Sequence, residues 1–272
     1  MPELPEVETL RRALVPLVEN RTCLEMRFFR SDLRFPIPTG ELKKELLGRK
    51  VSSITRAGKY LLLNAPGGAM LWHLGMSGRV TQRPSMEPVE KHTHAVFRFS
   101  PGTCLHFVDP RRFGAIAWAP SAVGHRLLRH LGPDPFSAET TAAHFKTKAK
   151  NCRAPVKAFL MDSKRLSGVG NIYACEALFT AGIRPARRAG KLSLADWDRL
   201  LEALRDTLNK SIDAGGTTLR DFFNPAGDAG YYAVDLAVYG REGEPCRRCR
   251  SPIRRRIDSG RSTFYCRQCQ KR

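Results

Sequence analysis

The chain has no long apolar run. Its most hydrophobic stretch, residues 61–76, is interrupted by Asn64, Pro66, Gly67, Gly68 and His73. Nothing approaches the roughly 18 residues of a membrane helix, so a membrane span is excluded. The chain also lacks the basic and then apolar leader of an exported protein. It begins MPELPEVE, and the expectation is a cytoplasmic protein, associated with the nucleoid through its partner. Acid is scarce overall: 46 Lys and Arg stand against 26 Asp and Glu, a formal net charge of +20 with a sequence pI near 10.1. That balance points to a polyanion or an anionic surface as partner. What is present is 272 residues, 42% of them hydrophobic, enough for two domains with real cores; a wholly disordered tail protein is excluded.

Disulfides are not expected. Cys23, Cys104, Cys152 and Cys175 are scattered and read as reduced thiols packed as small hydrophobes. Cys246, Cys249, Cys266 and Cys269 differ: they form two Cys-x-x-Cys pairs sixteen residues apart. Two such knuckles close a tetrahedral four-sulfur site for one structural zinc ion, the alternatives being two redox dithiols or a disulfide pair. Charge concentrates in the same place. Residues 241–272 carry eleven Lys and Arg and three acids, including the run Arg254, Arg255, Arg256. So small a module has almost no core of its own, which suggests two strands stapled by zinc with a basic surface offered to phosphates; a solvated charge run is the plainer alternative. Phe264 and Tyr265 are read as packing the ribbon.

The remaining chain reads as α+β. Residues 1–19 form a helix, with Glu6, Val7, Leu10, Leu14, Leu17 and Val18 at three- and four-residue steps and acids in the first turn. Residues 23–118 are mostly short strands between Gly and Pro turns, a sandwich or barrel. Residues 120–136 hold a short basic helix and a Gly-Pro-Asp-Pro break. Residues 137–212 are helical, ending in a helix that starts with a capping box from Ser193 and Asp196. The loop at residues 167–173 sets two glycines before a helix, where free backbone N–H groups meet phosphate; alone it is a weak signal. The domains expected are 1–120, a linker at 121–136, 137–240 and 241–272.

MPELPEVE, RAGKY (56–60), HLGMSG (73–78), DPRRFG (109–114), SGVGNIYACEALF (167–179), GGTTLRD (215–221) and the terminal cysteine segment together resemble formamidopyrimidine-DNA glycosylase, in that order and over essentially the whole chain. The resemblance implies an N-terminal antiparallel β-sandwich with an N-terminal helix, a helix-two-turn-helix domain and a C-terminal zinc finger. It implies a monomeric base-excision repair enzyme that removes 8-oxoguanine and ring-opened purines from damaged double-stranded DNA and then cleaves the abasic strand. An endonuclease VIII-type glycosylase of the same fold, acting on oxidised pyrimidines, is the nearest alternative, and HLGMSG with DPRRFG argues against it. A non-catalytic zinc-finger DNA-binding protein is the other, and the presence of Pro2, Glu3 and Lys59 argues against that.

The residues make chemical sense under the resemblance. Removal of Met1 leaves Pro2 as an N-terminal secondary amine. An α-amino group is about 14% neutral at pH 7, whereas an ordinary lysine is about 0.04% neutral, so the terminus is the better nucleophile without special burial. Read without the resemblance, Pro2 is an ordinary helix starter. Glu3 resembles the family's acid/base residue, Lys59 the lysine that contacts phosphate and assists elimination, and Arg261 the finger arginine of the second elimination. Flipping a base out of the stack leaves a hole. Met76, Arg111 and Phe113 match the void-filling triad, although Met76 and Phe113 read as core on their own. His92, Arg111, Arg153, Lys157 and Asn171 match DNA-contact positions. Thr217, Thr218, Leu219, Arg220 and Asp221 match the loop over the flipped base. The family usually has an Asp where Thr93 stands, which leaves the role of Thr93 open.

Overall fold

Helix α1, Leu4–Val18, forms where the sequence sets Val7, Leu10, Leu14 and Val18 on one buried stripe and Pro5 in the first turn, where its missing N–H loses no intrahelical bond. It opens the first of two compact units in the computed structural model, which describes residues 2–215, 236–258 and 260–271. Residues 2–129 with 214–215 build this unit, and residues 130–213 with 236–258 and 260–271 build the second. Among the described residues no helix is long and apolar enough to cross a membrane.

The first unit continues with β1 (Cys23–Phe28), α2 (Thr39–Leu46), β2 (Ser53–Ala57), β3 (Tyr60–Ala65), β4 (Gly68–His73), β5 (Arg79–Arg83), β6 (Thr93–Phe99), β7 (Thr103–Val108) and β8 (Ala115–Ala119). Two antiparallel four-stranded sheets result, β1-β6-β7-β5 and β2-β3-β4-β8. They meet through aromatic side chains: Trp72 of β4 lies 5.2 Å from Phe97 of β6 and 6.1 Å from Phe107 of β7, centroid to centroid. Large inward rings from both sheets bury enough area to hold the layers together. The strand-and-turn pattern predicts this architecture. It does not predict α2, an eight-residue helix that buries only Leu42 and Leu46.

The second unit contains α3 (Ala142–Lys148), α4 (Val156–Met161), α5 (Asn171–Thr180), α6 (Leu194–Asp213), β9 (Arg254–Asp258) and β10 (Arg261–Tyr265). Phe145, Phe159 and Trp197 form its aromatic centre, with centroids 5.3–6.2 Å apart. The capping box expected at α6 is present: Ser193 N donates to Asp196 Oδ2 at 3.0 Å and Asp196 N donates to Ser193 Oγ at 3.1 Å. The short basic helix expected within residues 120–136 is not. Residues 122–130 make turns only, because Gly124 and the Gly132-Pro133 break leave too few residues to repay helix nucleation.

The β9–β10 hairpin is seated on α5. Cys175 and Phe179 of α5 pack with Val238, Ile253 and Phe264, which gives Cys175 the packing role expected of it. Glu176, 6% exposed, fastens residues 237–239 to α5. Its carboxylate accepts from Ala237 N (2.7 Å), Val238 N (2.9 Å) and Tyr239 N (2.8 Å). Replacing Glu176 by Ala strands three donors at about 1–3 kcal/mol each. Denaturant unfolding of Glu176→Ala is expected to show a loss of about 3 kcal/mol or more; a loss below 1 kcal/mol would contradict this role.

Candidate active site

The head of α1 is built from two buried acids. Glu3 is the N-cap residue, 2% exposed, and Glu6 is 1% exposed. Glu6 Oε2 accepts from Glu3 N at 2.7 Å, one half of a reciprocal capping box whose other half is the Glu3 carboxylate on the backbone N–H of Glu6. This device satisfies two of the helix's otherwise orphaned donors. It also fixes the backbone immediately after Pro2, itself buried. Glu8 does a different job. It bonds Arg11 (2.8 Å), Arg12 (3.2 Å) and Arg56 of β2 (3.2 Å). Burial raises its carboxyl, but the hydrogen bonds and charges of these arginines outweigh that and hold it below the ordinary value.

Lys59, half-buried, occupies the two-residue turn between β2 and β3. Gly58 at φ 58° supplies the positive φ that the first position of such a turn requires. Tyr60 pairs with His73 across β3 and β4, with rings 4.7 Å apart. His73, which in sequence marks only a break in an apolar stretch and the start of HLGMSG, is pushed down to about 4 by burial, with Lys59 and Arg34 adding to it. Its Nδ1 accepts from Gly75 N at 3.0 Å. Lys59 therefore stands beside a neutral imidazole and a second cation.

The residues expected to fill a void sit on two loops tied together by one carboxylate. Asp109, fully buried, accepts from Ser77 Oγ (2.8 Å) and Gly114 N (2.7 Å), and Arg111 N donates to Ser77 Oγ at 3.2 Å. The loops approach so closely that a Cβ at Gly75 would lie 2.3 Å from the carbonyl carbon of Phe113. From this frame Met76 and Phe113 project 39% and 43% exposed, and the Arg111 guanidinium lies 4.9 Å from the centre of the Phe113 ring. Neither apolar side chain is core. His92 is exposed with φ 70°. Thr93, 6% exposed, begins β6 opposite Val108, and His94 Nε2 donates to the Asp109 carbonyl at 2.8 Å. Asp109, Ser77 and His94 were not singled out in sequence, because hydrogen bonds between distant loops leave no periodic trace.

In the second unit, Arg153 is exposed ahead of α4. Asn171 opens α5 behind Gly170, and its Nδ2 donates to the Ser262 carbonyl at 2.9 Å. Lys157, expected among the DNA contacts, is 3% exposed, and its ammonium donates to Ser262 O (3.1 Å) and Thr263 Oγ1 (2.7 Å). Both side chains therefore grip the strand directly after Arg261. Arg261 is exposed at the start of β10, on a cavity of about 330 Å³ shared with Lys157, Met161 and Asp258. The loop 217–221 lies outside the described residues.

The four finger cysteines fit one zinc ion. Their Sγ atoms all lie within 4.8 Å of one another, with Cys246 to Cys269 at 3.8 Å and Cys249 to Cys266 at 3.4 Å. Four sulfurs at zinc bond length stand about 3.8 Å apart. Such a site is closed to water and structural. His73 supplies the pH-dependent element here. Its folded value is depressed, so its neutral form stabilises the fold above pH 6.5, and that contribution is lost as pH falls from 6.5 to about 4. An NMR titration of its ring protons is expected to inflect near pH 4; an inflection above pH 6 would refute this environment.

Three family models match in chain order. They are the formamidopyrimidine-DNA glycosylase N-terminal domain over residues 1–116, the H2TH domain of the same glycosylase over 131–223, and the zinc finger found in FPG and IleRS over 243–272. Formamidopyrimidine-DNA glycosylase of Acidithiobacillus ferrooxidans is 47% identical over 271 residues, covering 100% of both chains. The MutM (Fpg) structure from Thermus thermophilus superposes with a TM-score of 0.87 at 39% identity, covering 99% of this chain and 98% of that one. The Lactococcus lactis Fpg complex with DNA containing an abasic site superposes at 0.89 with 30% identity, covering 99% and 100%. With its two antiparallel sheets, its helical module and its zinc-binding finger, the chain belongs to the formamidopyrimidine-DNA glycosylase family and is a DNA glycosylase that acts on damaged DNA.

Proposed function

We propose that the enzyme excises 8-oxoguanine and formamidopyrimidines from duplex DNA and cleaves the resulting abasic site by β,δ-elimination through a Schiff base on Pro2. The observation that carries this reading is the buried cap at the head of α1, which holds Glu3 beside the residue that becomes the N-terminal amine. The Pro2 nitrogen attacks the anomeric carbon as the bond to the damaged base breaks, and Glu3 is the group for the accompanying proton transfer. A secondary amine bonded to that carbon becomes a cationic iminium once the sugar ring opens. The cation acidifies the neighbouring sugar proton, and its removal expels the 3′ phosphate. A second elimination expels the 5′ phosphate, and water then releases the amine.

Lys59 and Arg261 serve the phosphates during these steps. Met76, Arg111 and Phe113 occupy the space that the extruded nucleotide leaves, the guanidinium facing the orphaned base. Arg153, Asn171 and His92 grip the backbone, and the segment 217–221 serves the flipped base. Lys157 contributes by seating Arg261, since its ammonium is committed to Ser262 and Thr263. Because the proposed nucleophile is a neutral amine, the decisive test is chemical. Borohydride added during turnover of a duplex with a single 8-oxoguanine is expected to trap an adduct on the N-terminal peptide, beginning at Pro2. An adduct on Lys59, or full activity in protein that retains Met1, would overturn the assignment, and a faster reaction on an oxidised pyrimidine would favour the endonuclease VIII-type reading.

A further inference from the structure

The second unit carries a basic groove that the proposed chemistry leaves without a task. Its volume is about 450 Å³, and Arg184, Arg254, Arg267 and Lys271 stand around it. Among the described residues none of the four is paired with a carboxylate. Neighbouring arginines are engaged: Arg255 by Glu242, Arg256 by Asp258, and Arg248 by the main-chain carbonyls of Phe179 and Thr180 at the end of α5. Four cations gathered without a carboxylate repel one another; the four-thiolate zinc site beside Arg267 and Lys271, with a net charge of about −2, offsets only part of their charge, and a bound anion relieves the rest.

The groove has a fixed floor. Gln270 is fully buried; its Oε1 accepts from Cys266 N at 2.8 Å and its Nε2 donates to the Ile183 carbonyl at 2.9 Å. Lys271 forms a parallel bridge with Ile183, and the Arg184 guanidinium lies 5.7 Å from the centre of the Tyr265 ring. The second zinc knuckle and the loop after α5 thus set where these cations emerge.

This groove shares no lining residue with the cavity at Arg261. Arg254 and Asp258 are the two ends of β9, about 13 Å apart at strand rise. Arg184 follows the C-terminal end of α5, whereas Asn171 opens it, about 15 Å away along a ten-residue helix. Pro252 is the single apolar residue in the lining. An acidic peptide normally docks through an apolar anchor at the centre of its interface, and none is offered. Polar, strongly positive surfaces with guanidinium forks suit phosphodiesters.

We propose that this groove is a second phosphodiester site, which holds an undamaged DNA segment other than the one carrying the lesion. The inference rests on the lesion strand being gripped at the Arg261 end. Such a site lets the enzyme pass between segments while it searches, because backbone contacts carry no sequence preference.

The test combines Arg184→Gln, Arg254→Gln, Arg267→Gln and Lys271→Gln in one variant of the full chain. Wild type and variant are first saturated with a short duplex containing a tetrahydrofuran abasic analogue. A differently labelled undamaged duplex is then added across a salt series. Wild type is expected to hold both duplexes at once. The variant is expected to bind the second at least about tenfold more weakly, with a salt slope flatter by about 3 to 4 units for four lost phosphate contacts. Its zinc content and its excision from a short lesion duplex should be unchanged. A wild type that never binds the second duplex, or a variant that binds it equally well, overturns the proposal. So does a variant with weakened affinity for the abasic duplex, which would make the groove part of the lesion site, or displacement of the second duplex by polyglutamate as readily as by DNA. Failure of wild type to excise 8-oxoguanine at all would instead defeat the underlying functional reading.

Discussion

A chain terminus is ordinarily the least ordered part of a domain, yet the proposed chemistry asks the second residue of this one to act as a nucleophile. The constraint that resolves this is the reciprocal cap at the start of α1. Glu3 and Glu6 are both nearly fully buried, and each accepts the backbone N–H of the other. The cap continues into the buried stripe of Val7, Leu10, Leu14 and Val18 and, through Glu8 and Arg56, into β2. The sheet that β2 enters carries Lys59 on the next turn and His73 on β4. Amine, carboxyl and lysine are thereby referred to one rigid frame, which is how positioning lowers a barrier.

The same economy governs the exposed apolar residues. Met76 and Phe113 are displayed to solvent, an arrangement that a monomeric surface tolerates only in small amounts. They do not collapse inward, because Asp109 binds both loops and Gly75 lets the backbones touch. In the second unit, Glu176 plays the corresponding part. It draws residues 237–239 onto α5, and Tyr239 then packs its ring 5.0 Å from Phe264 of β10. Lys157 and Asn171 complete the support beneath Arg261.

Much of this was legible in sequence wherever the signal is local. The stripe of α1, the Ser193–Asp196 cap and each of the two cysteine knuckles are set within a few residues; the cap and the cysteine cluster appear as read, while α1 is shorter than expected, Leu4–Val18, with Leu17 only partly buried. The α+β class follows from the same periodicities. Where the deciding interaction spans many residues, sequence gave less. Lys157 reads as a surface cation until the finger, more than a hundred positions later, is seen to bury it. Glu176 lies inside a recognised block, but nothing local announces that residues 237–239 will meet it. Helix α2 was missed because two buried leucines in eight residues are too weak a stripe to outweigh the surrounding strand signals.

The dependence on the cap is open to a direct kinetic measurement: single-turnover borohydride trapping with Glu6→Ala, Glu6→Gln and Glu8→Ala, alongside DNA affinity. Loss of the Glu6 acceptor should slow adduct formation by about tenfold or more, equivalent to about 1.4 kcal/mol, with affinity for undamaged duplex unchanged. Glu6→Gln keeps an acceptor able to reach Glu3 N and should recover most of the rate, while Glu8→Ala should lose stability rather than trapping rate. Wild-type trapping by Glu6→Ala would contradict the claim that this cap is what holds the nucleophile in place.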